Sequence, residues 1–145
     1  MTTATTTSTF DVTPSARVAF PGGVSGVPRT LLRLEGALVL VGALAAYAQL
    51  GASWTLFAAL FLAPDLAFFG YLAGPRVGAL AYNATHGYVG AAVLAALSFA
   101  LAMPALVPIA LIWAGHVGFD RMLGYGLKYG TAFGHTHLGR VGKDA

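Results

Sequence analysis

The sequence predicts an all-α integral membrane fold: a bundle of four antiparallel transmembrane helices followed by a Gly- and aromatic-rich C-terminal segment. Three observations lead there. Charged residues make up 9% of the chain and apolar ones 57%, against roughly 25% and 45–50% in soluble domains. Four apolar stretches each approach the roughly 20 residues needed to cross a bilayer. All eight Lys and Arg residues gather at one end of those stretches. Cysteine is absent, which excludes disulfides, thiolate metal sites and cysteine nucleophiles, so any metal must be held by histidine and carboxylate.

Residues 1–28 are Thr-rich, then Gly/Pro/Ser-rich, with no apolar core of a cleavable signal peptide, and read as a cytoplasmic tail, disordered or ordered by a partner. The transmembrane domain covers residues 29–142 and leaves 143–145 as terminal residues. Its first helix runs from about Leu31 to Gln49, with Thr30 as N-cap after Pro28, and closes at Gly51. The second runs from Trp54 to about Ala73, capped by Ser53 and ended by Gly74-Pro75-Arg76. The third continues from about Val77 to Met103, where Pro104 breaks it. The fourth spans about Ala105 to Gly124. Connections this short make neighbours antiparallel.

The cations set the orientation. Arg17, Arg29, Arg33, Arg76, Arg121, Lys128, Arg140 and Lys143 fall on one side, and the loops at Gly51 and Pro104 carry none. The positive-inside rule then puts both termini in the cytoplasm and Trp54 at the outer interface.

Five ionisable residues interrupt the apolar stretches: Glu35, Asp65, His86, His116 and Asp120. A charge in the hydrocarbon region costs a few kcal/mol, so each marks a functional site by default. At about 1.5 Å per residue, Asp65 and His116 lie roughly 12 Å from the cytoplasmic end, His86 slightly deeper, and Glu35 and Asp120 at roughly 6–8 Å. Four helices therefore place acids and imidazoles in one cytoplasm-facing layer. His116 and Asp120 share a helix face at i, i+4, as do Tyr82 and His86, with Asn83 and His86 at i, i+3. Gly36, Gly42, Gly78, Gly87, Gly90, Gly115 and Gly118 permit close helix approach, so the polar groups can meet rather than face lipid.

Two imidazoles with two or three carboxylates form the ligand set of a divalent Fe, Mn or Zn site, with Asp65, His86 and His116 as ligands. Asp120 or Glu35 then completes the shell, or Asp120 instead orients His116. Neither spacing is a specific motif: there is no Glu-x-x-His repeat and no His-Glu-x-x-His. A proton relay and a structural polar network therefore stay open beside the metal site. Arg33 near Glu35 and Arg121 beside Asp120 offer a plain ion-pair belt for those two acids. Asp65 has no cation on its own helix and needs a proton, a metal or a histidine. Trp113 and Leu101 are expected to face outward.

The C-terminal stretch from Gly124 through Gly139 reads as an ordered lid, with Tyr125, Lys128 and His137 as its possible contributors to the site. Its Gly-Tyr-Gly triplet lacks the flanking sequence of a potassium filter, and no strand precedes it as a dinucleotide-binding glycine pattern requires. His135 and His137 would align on a strand and diverge on a helix.

Arg33-Leu34-Glu35-Gly36, Pro64-Asp65-Leu66, Tyr82-Asn83 with His86, and His116 through Phe119-Asp120-Arg121-Met122-Leu123-Gly124-Tyr125-Gly126-Leu127-Lys128-Tyr129 with Thr136-His137-Leu138-Gly139 resemble the small bacterial membrane family catalogued as domain of unknown function 4260. The resemblance covers about Leu31 to Gly142. It implies a compact integral protein of the bacterial cytoplasmic membrane and no particular activity. That family often carries an acid where this chain has His135, which lowers His135 as a site residue.

Two function classes follow. One is a metal-dependent membrane enzyme acting on an apolar substrate in the cytoplasm-facing pocket of Glu35, Asp65, Asn83, His86, His116 and Asp120. The other is a non-catalytic accessory or structural subunit of a larger membrane complex. The expected partners are the lipid bilayer and such a complex or a second copy of the chain, and not nucleic acid.

Overall fold

The computed structural model describes residues 22–142. The expectation for the tail therefore falls mostly outside the described residues, as do residues 143–145. The chain forms α1 (Gly26–Gln49), α2 (Trp54–Phe61), a 3₁₀-helix (Ala63–Ala73), α3 (Pro75–Thr85), α4 (Tyr88–Ala100), α5 (Leu106–Leu123) and two short strands, β1 (His135–Thr136) and β2 (Gly139–Arg140).

The first helix starts earlier than Thr30. Residues before it are tied down, since Val24 N donates to the His137 carbonyl at 2.7 Å and the Tyr129 hydroxyl to Gly22 O at 2.8 Å. Thr30 lies inside α1, its hydroxyl turned back to Gly26 O at 3.4 Å. Ser53 does cap α2, accepting from Leu56 N at 3.4 Å.

The second apolar stretch is not one continuous α-helix. Pro64 lacks an N–H and crowds the preceding turn, so α2 ends at Phe61 and the chain tightens into the 3₁₀-helix. Eight α-helical and eleven 3₁₀ residues, at about 1.5 and 2.0 Å each, still sum to roughly 34 Å, enough for a hydrocarbon core of about 30 Å.

The third stretch departs further. It is split between α3 and α4, with His86 and Gly87 outside both helices. At 13 residues, α4 is only about 20 Å long, short of a full crossing by itself. Among the described residues, three segments are long and apolar enough to cross a membrane: Gly26–Gln49, Trp54–Ala73 and Leu106–Leu123. Leu38, Phe69, Leu72, Leu80, Val89 and Phe99 are each at least two-thirds exposed, a lipid-facing rather than aqueous surface.

α5 is the hub: α1, α4 and α2 pack on it, while α3 packs on the 3₁₀-helix. Its contact with α1 is glycine-mediated. A Cβ on Gly36 would lie 2.8 Å from Gly118 O, and one on Gly118 would lie 2.7 Å from Gly36 O, so small residues set the interhelical distance. α5 ends at Gly124 in the left-handed region (φ 96°), a glycine C-cap. The following chain folds back, and Asn83 docks it on α3. The Asn83 amide donates to Lys128 O at 2.8 Å and accepts from Lys128 N at 2.7 Å, imitating a strand edge.

Candidate metal centre

Each residue of the centre is delivered by a different local device. Asp65 lies in the first turn of the 3₁₀-helix beside Pro64, where the helix dipole favours an acid. His86 sits at the break between α3 and α4, freed from a regular helical position. His116 and Asp120 project from one face of α5.

Their side chains converge. The His86 Nε2 atom lies 3.1 Å from His116 Nε2, 3.3 Å from Asp65 Oδ1 and 3.5 Å from Asp120 Oδ2. His116 Nε2 is 3.7 Å from Asp65 Oδ1. One ligand atom from each of Asp65, His86 and His116 falls within 4.8 Å of the others, with both histidines buried and Asp65 half-buried. Ligand atoms about 2.0–2.1 Å from a tetrahedral cation lie roughly 3.3 Å apart. The observed separations bracket that spacing.

The surroundings fix the His86 tautomer. Its Nδ1 is 3.0 Å from the Tyr82 carbonyl, which can only accept, so Nδ1 carries a proton, and in the neutral ring the Nε2 lone pair faces the carboxylates. Thr85 Oγ1, 2.9 Å from the same Nδ1, reaches Pro64 O at 3.2 Å and ties the His86 break to the 3₁₀-helix. The Tyr82 ring stacks on His86 with centroids 3.7 Å apart, and its hydroxyl donates to Asp120 Oδ2 at 2.8 Å. Tyr82 thereby orients one imidazole and one carboxylate at once.

A pocket of about 360 Å³ opens on the centre, lined by Asp65, Asp120 and Tyr82 together with Phe68, Phe119 and Phe133. Lys128 lines it too. Its ammonium donates to Phe133 O at 2.9 Å and sits 3.7 Å from the Phe133 ring centroid and 4.9 Å from that of Tyr82, a cation–π arrangement. Burial pushes the Lys128 ammonium down to about 8, with the Asp120 carboxylate opposing that shift.

The structure brings Asp65, His86, His116 and Asp120 together and leaves two expected pocket residues out. Asn83 is committed to the Lys128 backbone. Glu35 is exposed on α1 and lines a different groove with Arg121 and His137, because Gly36 takes the face that packs on α5. The ion-pair belt is also absent among the described residues. Arg33 Nε donates to Met122 O at 2.8 Å, and Arg121 donates to Tyr125 O at 2.6 Å and His86 O at 2.9 Å. Trp113 faces inward, its indole N–H donating to Thr85 O, whereas Leu101 is 58% exposed.

The lid residues divide. Tyr125 and Lys128 line the pocket, while His137 lines the other groove. His137 Nδ1 accepts from Leu127 N at 2.7 Å, and burial, with the Arg121 charge, holds its imidazole below the ordinary range. His135 lies in β1, 2.9 Å from Thr131 Oγ1 through its Nδ1, outside the centre. Arg121 and Thr85 were not anticipated as supports of His86, and nothing in their spacing announces backbone contacts across helices.

A family model decides the relationship. It carries the description domain of unknown function (DUF4260) and matches residues 29–141. The chain belongs to that family. The match spans every residue of the centre together with the C-terminal segment that covers it. No curated protein and no solved structure matches the chain.

Proposed function

We propose that this protein is a multi-pass protein of the bacterial cytoplasmic membrane that binds a divalent metal, Fe, Mn or Zn, at Asp65, His86 and His116. Asp120 closes the shell, and the metal acts on an apolar substrate admitted through the aromatic pocket. One observation carries the reading: ligand atoms from the 3₁₀-helix, the α3–α4 break and α5 converge at metal-ligand spacing around a His86 whose neutral ring turns its Nε2 lone pair to the centre. In the absence of a cation, that lone pair faces two carboxylate oxygens, and a shared proton is then needed to offset the repulsion. A bound metal would polarise a substrate oxygen or lower the pKa of a bound water. Phe68, Phe119 and Phe133 give the pocket an apolar wall, and Lys128 gives it one cation.

The test is ligand-linked stability. Chelator-treated protein in detergent should melt higher with added Zn, Mn or Fe(II), by about 2.7 kcal/mol of stability at free metal 100-fold above Kd, and Asp65→Asn should lose the response. A wild-type protein whose melting ignores all three metals would end the metalloenzyme reading. For the topology, reporters fused after Gly51 and Met103 should read external and those at either terminus cytoplasmic. A cytoplasmic signal from the Gly51 fusion would replace the four-span arrangement with fewer crossings.

A second reading rests on its own observation. The two imidazoles are at hydrogen-bonding distance, 3.1 Å, and His116 Nδ1 has no partner among the described residues, which suits a His116 that donates through Nε2 to His86. In that tautomer the cluster is a polar lock between helices of an accessory subunit. Copurification of a defined membrane complex from mild detergent, with no metal bound, is its signature.

A further inference from the structure

We infer that the groove between α1 and α4 is a binding site for one phospholipid with a primary ammonium headgroup, of the phosphatidylethanolamine kind. The groove, about 460 Å³, is lined by Glu35 and Val39 from α1, Tyr88 from α4, Arg121 from α5 and His137 from the C-terminal segment. It shares no lining residue with Asp65, His86 or His116.

Charge placement defines the ligand. Glu35 is exposed on a segment long and apolar enough to cross the membrane, and no Lys or Arg among the described residues forms an ion pair with it. The neighbouring cations are engaged elsewhere, Arg33 on Met122 O and Arg121 on two carbonyls. A carboxylate at the edge of the hydrocarbon region needs a counter-cation, and none of the described residues supplies one. Opposite it, Arg121 is only 7% exposed, has no carboxylate in ion-pair range among the described residues, and uses two hydrogen bonds of the five that a guanidinium can donate. It needs an anion. His137 accepts a backbone bond at Nδ1, so its neutral ring carries the proton on Nε2 and adds a donor. Tyr88 lies within electrostatic reach of both Glu35 and Arg121.

A headgroup that carries a phosphate and a primary ammonium satisfies both ends at once. A purely anionic headgroup would meet Arg121 but face Glu35 unpaired. The acyl chain also has a track. Tyr88 lines a second groove of about 240 Å³ with Ala91, Ala92, Ala95, Ala110 and Ala114, where small side chains leave room along the α4–α5 seam.

The experiment uses nanodiscs of phosphatidylcholine doped equally with phosphatidylethanolamine and phosphatidylglycerol, with the protein then released gently and weighed by native mass spectrometry. Wild type should retain one phosphatidylethanolamine per chain, preferred about tenfold over phosphatidylglycerol, and Glu35→Gln should bring the two near parity without lowering the melting temperature. Chelator treatment should leave the preference intact, since none of Asp65, His86 and His116 lines the groove. Equal retention of both lipids by wild type, or a preference that survives Glu35→Gln, overturns the assignment.

Discussion

Asp120 and Arg121 are neighbours in sequence, yet they serve different faces of α5. About 100° apart around α5, Asp120 turns to Tyr82 and His86, while Arg121 lines the groove that holds Glu35. On the first side, two carboxylates and two imidazoles converge beside the single ammonium of Lys128. On the second, a buried cation spreads its bonds over carbonyls and leaves an acid exposed. Adjacent opposite charges therefore do not imply a mutual pair. Helix geometry sends them to separate tasks, and Arg121 links the two regions through the carbonyls of His86 and Tyr125.

That link is the most sensitive place to break the comparison. Arg121→Ala would leave the buried carbonyl of His86 and the part-buried one of Tyr125 without their donor and release the α3–α4 break, for a loss of about 2–4 kcal/mol in unfolding stability. Thermal or denaturant unfolding in detergent measures it, and a loss under about 0.5 kcal/mol, the range of an ordinary surface change, would mean that the guanidinium supports neither region.

A subtler change touches only the metal side. Tyr82→Phe keeps the ring stacked on His86 and removes the hydroxyl that holds Asp120. We expect metal affinity to fall about 10–100-fold, as for other supports of ligating groups, with the fold retained. Isothermal titration of chelator-treated protein gives the number, and unchanged affinity would remove Asp120 from the shell.

Lys128 yields a pH signature. With its ammonium held down to about 8 against an ordinary 10.5, the unfolded chain binds more protons than the folded one between those values, so its contribution makes stability rise from about pH 8 to 10.5. Below pH 8 both states are protonated and its slope vanishes. Comparing wild type with Lys128→Met across that range isolates the effect, and identical pH profiles would mean that Lys128 is ordinarily solvated.

Much of the centre was legible in the sequence, because polar residues in apolar stretches are costly and few. Asp65, His86 and His116 stood out on that ground alone. The fold was legible as apolar helices but not in its breaks. Gly87 after His86 gave no unambiguous stop within a continuous apolar run, and the 3₁₀ tightening after Pro64 depends on packing against α3. Glu35 was misplaced for a physical reason: Gly36 packs against Gly118, and that contact rotates its neighbour off the buried face. Asn83 was drawn into the pocket by spacing to His86, whereas its amide is spent on the returning Lys128 backbone, a partner no local pattern discloses.

The smallest expected change in stability comes with the most direct test of the centre. His86→Ala and His116→Ala each remove one proposed ligand while leaving α1, α4 and α5 to hold the helices together. Elemental analysis of protein purified without chelator or metal-affinity resin should find about one metal per chain in wild type and less than about a tenth in either variant. Wild type carrying less than about a tenth of a metal per chain, with variants that melt earlier by about 1–3 kcal/mol from a broken hydrogen-bond network, would contradict a metal centre and leave the polar lock in its place.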